Sequence, residues 1–149
     1  MDVTIRSATT QDFPAIFKLI KEFSIFQQCA DKVRNTVDQM VDDKDLFHCF
    51  VAETEHKEVV GFASYFFAYY SWTGKAIYLD DLYVQENFRK QGTGKKLLSA
   101  VIQLAENERC KKLRWQVSKW NSNAIAFYKS LGAAIDETEI NCDLVIPDG

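Results

Sequence analysis

Apolar residues recur along this chain with two different periods, and the places where the period changes mark its elements. Residues 3–8 alternate in the manner of a strand, after which Thr10-Gln11-Asp12, with Pro14 in the next turn, opens a helix. Ile16, Leu19, Ile20 and Phe23 fall three and four apart, so this helix runs well past Glu22 and lays one face on a sheet. A weaker helical pattern covers residues 35–41. Residues 47–52 and 59–69 read as strands joined by the polar turn 53–58. A helix over 92–108 carries Leu97, Leu98, Val101, Ile102 and Ala105 on one side, and 113–117 is a strand. Asn121-Ser122-Asn123 starts a short helix that ends at Gly132, and a last strand runs unevenly from Ala133 towards Pro147. This order, β, α, α, β, β, β, α, β, α, β, predicts an α/β (α+β) fold: a mixed sheet with helices on both faces, forming one domain over residues 1–149.

Residues 75–85 form the remaining strand, and its parity is broken. Ile77 and Leu79 are apolar at odd positions, whereas Leu82 and Val84 are apolar at even ones. One extra residue at Asp80-Asp81, a β-bulge, returns all four side chains to one face. A strand buried on both faces, as Tyr78 and Tyr83 suggest, is the alternative. A bulge leaves main-chain N–H groups near Leu82 without a sheet partner and available to a ligand.

Directly after this strand comes Arg89-Lys90-Gln91-Gly92-Thr93-Gly94-Lys95-Lys96 at the start of a helix. Glycines let main chain approach a ligand closely, and a helix N-terminus offers unpaired N–H groups and a positive dipole end to an anion. A diphosphate suits such a cradle; an ordinary turn and cap is the plainer alternative. The nucleotide-hydrolase loop is excluded, because Lys96 stands where Ser or Thr is required. The dinucleotide fingerprint is excluded by Leu97 in place of its third glycine.

Composition narrows the function classes. Of 149 residues, 47% are hydrophobic and 26% charged, enough for a substantial core. Net charge −3 argues against nonspecific nucleic-acid binding and suits a cationic substrate. No apolar leader opens the chain, and the most apolar run, 59–70, is too short for a bilayer, so a cytoplasmic protein without membrane partners is expected. Cys29, Cys49, Cys110 and Cys142 lack metal-ligand spacing and are expected as buried, reduced thiols; no metal is expected.

With these residues in place the chain resembles the GNAT superfamily of N-acetyltransferases. Arg89-Lys90-Gln91-Gly92-Thr93-Gly94 matches that family's acetyl-CoA loop, Gln/Arg-x-x-Gly-x-Gly/Ala, and Trp120-Asn121 and the run from Ala126 through Tyr128 to Gly132-Ala133 follow in order. Within it, residues 3–133 are similar to the spermidine/spermine (diamine) and thialysine acetyltransferases, through Tyr78-Leu79-Asp80-Asp81, Trp72-x-Gly74-Lys75 and Val60-Gly61-Phe62 among others. The resemblance implies a mostly antiparallel sheet splayed at its middle, a homodimer with aromatic residues of 65–72 near the second subunit, and acetyl-CoA as co-substrate. It assigns cofactor contacts to the main chain of Leu82, Tyr83 and Val84, to Arg89, Lys90, Gln91, Gly92, Thr93, Gly94 and Lys95, and to Asn121, Ser122, Asn123 and Ala124. The catalytic tyrosine matches Tyr128, and substrate contacts match Phe26, Gln27, Asp80, Arg114, Trp115 and Gln116. Gln27 and Tyr70 replace residues that are acidic in the family or, for Tyr70, small or acidic; Asp80 stands for a longer glutamate.

The chemistry gives these groups work. An alkylamine resembles lysine, with a pKa of ~10.4, and must lose a proton before it attacks a thioester. Asp80, with Asp81 beside it, can attract the ammonium group and relay that proton through water. Trp72 can cover an aliphatic stem or face a cation. A fixed N–H near Leu82 suits the oxyanion. Tyr128 protonates the departing thiolate, a transfer uphill by about 2 kcal/mol from phenol to thiol reference values. A non-catalytic acyl-CoA sensor, an enzyme for another amine, and a binding module using Lys90, Lys95, Lys96, Lys111 and Lys112 are the alternatives.

Overall fold

Asp12 organises the start of the chain. Its Oδ2 accepts the Thr9 N–H at 2.7 Å, turning the backbone into a short 3-10 segment that leads into the first helix, with Pro14 in its opening turn. The Arg6 guanidinium grips the same carboxylate at 2.8 and 2.9 Å and reaches Glu53 at 2.8 Å, tying two strands to one helix start. Arg6 holds the Asp12 carboxyl below its usual range. That contribution to stability is present above the ordinary value of 3.8 and disappears as pH falls through the depressed one.

The computed structural model describes residues 2–147, in two compact units divided between Gln116 and Val117. The first unit contains β1 (Val3–Ser7), α1 (Phe13–Phe26), α2 (Val37–Asp42), β2 (His48–Thr54), β3 (Val59–Tyr70), β4 (Gly74–Val84), α3 (Thr93–Asn107) and β5 (Lys112–Trp115). The sheet order is β1-β2-β3-β4-β5, antiparallel except for the parallel β4–β5 pair. Phe13, Ile16 and Leu19 of α1 and Met40 of α2 pack with Cys49, Val51, Phe62 and Tyr83 on one face. Gly61 is adjacent to Phe62 and points the other way, towards α3: a Cβ there would lie 3.0 Å from the Tyr83 carbonyl and 3.3 Å from Leu97. Leu97, Leu98 and Val101 are fully buried there, each contributing about 1.5–3 kcal/mol. Ile102, expected on that face, is instead exposed at its margin.

The bulge in β4 is present. Ser64 stands opposite Asp81 and Tyr65 opposite Leu79, so Asp80 is the extra residue. Ile77, Leu79, Leu82 and Val84 thereby share the α3 face with Gly61 and Ala63. Pairing of β4 with β5 stops at Leu79 and Trp115, while β4 continues to Val84. Among the described residues, 80–84 therefore has a paired strand on its β3 edge only.

The second unit holds α4 (Ser122–Ser130), whose N-terminus is capped by Asn121 accepting the Ala124 N–H at 3.2 Å and which is followed by Gly132 at φ +89°. The expected last strand is not formed: residues 133–147 have no regular structure. A strand needs a ladder partner, and here Asp136 accepts both the Thr138 N–H at 2.9 Å and its hydroxyl at 2.6 Å, a local turn that competes with extension. Ile140, Leu144 and Ile146 stay exposed. Of the cysteines, all free, only Cys49 is buried; Cys29 and Cys110 are partly covered and Cys142 is exposed. Among the described residues no helix is long and apolar enough to cross a membrane.

Candidate active site

The turn between β4 and α3 is shaped by left-handed backbone at Lys90 (φ +62°) and Gly92 (φ +81°), the latter being the helix N-cap. Gly92 has no side chain with which to cap the helix. The Lys96 N–H bonds the Gly92 carbonyl at 2.9 Å, so the N–H groups of Thr93, Gly94 and Lys95 lie ahead of the helical ladder, at the positive end of a helix of 15 residues. Gly94 is in ordinary helix, and a Cβ there would make an unstrained contact with Val84 at 3.8 Å. Among the described residues nothing in contact requires glycine at 94.

Arg89 serves the loop from beneath. Its Nε donates to the Val84 carbonyl at 2.7 Å, and its guanidinium lies 5.2 Å from the Phe26 ring and 5.4 Å from that of Tyr83. The end of α1, the end of β4 and the loop are thus joined through one side chain. Beside it an open cavity of about 350 Å³ is lined by Glu22, Ile25, Tyr83, Gln85, Glu86 and Asn87. Glu22 accepts the Tyr83 hydroxyl at 3.3 Å and the Gln85 amide at 3.2 Å. Sequence reasoning passes over Glu22 and Gln85, because a glutamate on a helix and a polar residue after a strand carry no spacing signal of their own.

The bulge presents two carboxylates from adjacent residues. Asp81 is partly buried, and burial, with Asp80 alongside, pushes its pKa up to about 7. Asp80 is exposed, yet the surrounding protein shields it enough to raise its carboxyl as well. Leu82, Tyr83 and Val84 follow at once, on the stretch with a single strand neighbour.

The other expected site residues are distributed as follows. Gln27 caps the C-terminus of α1 beside Phe26. Arg114 and Trp115 lie on β5 opposite Tyr78 and Leu79, and Gln116 follows them. Trp72, by contrast, is 97% exposed at the tip of the β3–β4 hairpin. The strand from Gly74 to Asp80 separates it from the acids by ~20 Å, so the structure does not bring Trp72 to them. In the second unit, Asn121, Ser122, Asn123 and Ala124 form the capped first turn of α4, and the Asn121 side chain is spent on that cap. Tyr128 is half-buried, with its ring centroid 5.6 Å from that of Phe127, and burial raises its phenol pKa.

The fold brings together three residues that the sequence leaves apart. Lys112 Nζ lies 4.4 Å and the Arg114 guanidinium 4.6 Å from the centroid of the same Tyr70 ring. The available signal was the Lys-x-Arg spacing, which puts both residues on one face of a strand.

The match to the family model for "Acetyltransferase (GNAT) family" spans residues 10–133, ending where regular structure ends. The chain belongs to this acetyltransferase family. It is 35% identical over 140 residues to thialysine N-epsilon-acetyltransferase of Mus musculus, covering 87% of this chain and 82% of that protein. It is 29% identical over 137 residues to spermine/spermidine N(1)-acetyltransferase of Bacillus subtilis, covering 89% and 88%. The fold matches that of an aminoglycoside N-acetyltransferase solved in complex with CoA, with a TM-score of 0.76 at 20% identity over 96% of this chain and 95% of that one.

Proposed function

We propose that this chain transfers the acetyl group of acetyl-CoA directly to a primary amine of a small cationic substrate, within a ternary complex and as one catalytic domain. The observation that carries the reading is the order of features along one strand and turn: a bulge bearing Asp80 and Asp81, an open-edged segment at Leu82, Tyr83 and Val84, and a helix whose uncapped N-terminus begins at Gly92. The pyrophosphate of CoA sits on the N–H groups of residues 91–95, with Lys90 and Lys95 adding charge. The main chain of 82–84 receives the pantetheine and, at Leu82, the oxyanion.

Asp80 meets the incoming ammonium, and the pair takes up its proton, directly or through water. A carboxylate held to about 7 is matched to that task near neutral pH. The amine nitrogen then forms the new bond to the thioester carbonyl carbon, and the C–S bond breaks. Tyr128, which its burial keeps protonated, gives its proton to the thiolate and recovers one relayed from the amine. The names of the two relatives support the substrate class. The unpaired cysteines fit a reducing cytoplasm, and we place the chain there, as a homodimer.

Incubation with labelled acetyl-CoA and a panel of amines tests the reading. Label should pass to small cationic primary amines, and Tyr128→Phe should lower kcat by roughly ten- to a thousand-fold while CoA affinity is kept. CoA binding with no transfer to any amine would identify a sensor instead of an enzyme.

A further inference from the structure

Side chains at the end of α1 and at the end of β4 are keyed to one another. Tyr83 and Gln85 stand two positions apart along the strand and its continuation, so both project towards α1. The Tyr83 ring is buried and stacks on Phe23 at 5.1 Å with an interplanar angle of 21°. Its hydroxyl donates to Glu22 Oε2 at 3.3 Å, and the Gln85 amide donates to both oxygens of the same carboxylate, at 3.2 and 3.4 Å. Contacts of that length add direction more than strength. Among the described residues no cation pairs with Glu22, so its oxygens are spent on neutral donors. One turn further along α1, Phe26 meets the Arg89 guanidinium, whose Nε holds the Val84 carbonyl.

The stretch held in this way has little other support. Leu82, Tyr83 and Val84 pair with Ala63, Phe62 and Gly61 of β3, and Gln85 donates its N–H to the Val60 carbonyl at 2.9 Å; among the described residues the other edge has no paired strand. A strand anchored along one edge can still tilt about it, and a brace from the face of the sheet opposes that tilt. Glu22 supplies one on both sides of Val84.

We propose that Glu22 is a positioning residue for acetyl transfer: it fixes the main chain of 82–84 relative to the end of α1 and so sets the thioester against the amine. The inference rests on the reading of 82–84 as the seat of the thioester arm and of Phe26 and Gln27 as acceptor contacts. Glu22 itself touches neither reactant. A misplacement of about 1 Å between reacting groups can cost roughly a hundredfold in rate. The pyrophosphate is seated on a different element, the start of α3, so loss of Glu22 acts on kcat and spares CoA affinity. Glu22→Gln can rebuild both contacts without charge: its carbonyl oxygen accepts from Tyr83, and its amide donates to a Gln85 side chain turned over.

Single-turnover rates at saturating acetyl-CoA, with spermidine, 1,4-diaminobutane and L-lysine as acceptors, test this beside CoA titrations and thermal melts. Glu22→Ala should lower the rate about tenfold at a temperature well below its melting point, with CoA affinity within about twofold of wild type. Glu22→Gln should restore most of that rate. Tyr83→Phe with Gln85→Ala, which keeps a ring on Phe23 and removes the contacts from the strand side, should match Glu22→Ala, and combining all three should cost nothing more. A lowered melting temperature with an unchanged transfer rate in Glu22→Ala would overturn the proposal and make the carboxylate structural. A Glu22→Gln rate as low as that of Glu22→Ala would overturn it too, because charge rather than placement would then carry the effect. Should Glu22→Ala fail to fold, the Tyr83→Phe, Gln85→Ala protein decides by the same two readings. Each of these results leaves acetyl transfer by the wild type standing. Transfer by the wild type to none of the three acceptors, nor to any other amine, would overturn the underlying reading and the inference with it.

Discussion

Asp81 carries a cost that its position explains. Burial and the neighbouring Asp80 raise its pKa from 3.8 to about 7, so the native state binds that proton more tightly than the unfolded chain does. Stability therefore falls as pH rises from about 4 through 7, and the ionised carboxylate is a full load above that. Asp81→Asn should raise stability at pH 8 by about 2 kcal/mol, after allowance for relaxation, and by almost nothing at pH 3, below the ordinary value of 3.8. Thermal melts at the two pH values check this, and an equal shift at both would mean that the carboxyl is not held up by its surroundings. The same substitution should flatten the acid limb of the rate profile. At this scale the sequence exposes residue types and order: the acid pair is visible in Tyr78-Leu79-Asp80-Asp81. Which acid is sheltered is not visible, because shelter comes from Ser64 and the α1 face across the sheet. Arg89 shows the same limit. Its place in the loop motif is legible, whereas its bond to the Val84 carbonyl and its contact with Phe26 depend on residues brought together by folding.

Elements were more legible than contacts, because periodicity is local. The change of apolar parity across Asp80 points to a bulge, with a strand buried on both faces as the alternative, and the structure has the bulge there; Gly92 marks the start of α3, as it does in the structure. The final strand was not legible, because alternation records a face to bury and says nothing of whether a neighbour exists to pair with. The loop itself allows a test in which packing and binding have opposite signs. Gly94→Ala adds a Cβ at ordinary contact distance from Val84 within a helix, so it should leave stability unchanged or raise it by up to ~1 kcal/mol. Gly92→Val must adopt φ +81° and should cost roughly 1–3 kcal/mol. Both should weaken CoA at least tenfold, because each places a side chain at the proposed pyrophosphate site. Titration calorimetry showing undiminished CoA affinity in a folded Gly94→Ala protein would remove the helix N-terminus from the cofactor site.

For the whole molecule, the sheet outgrows its own cover. Pairing with β2 ends at Tyr65, so β3 continues through residues 66–70 with β4 on one edge and, among the described residues, no paired strand on the other. On the α3 side of the sheet, Phe67 is 41% exposed and Tyr69 80%, and Trp72 closes the hairpin at 97%. An apolar strand edge of this kind is costly to leave in water and prone to uncontrolled pairing unless something covers it. A second copy of the chain would cover it and would give Trp72, remote from the acids of its own chain, a contact to make. Sedimentation equilibrium should therefore return twice the 17.1 kDa chain mass at concentrations where the enzyme is active. Tyr69→Ser with Trp72→Ser should move the protein to the monomer without unfolding it, since both side chains are already solvent-exposed and outside the core. If the wild type sediments as a monomer while fully active, the hairpin has another role, and the acetyl-transfer site is complete within one chain.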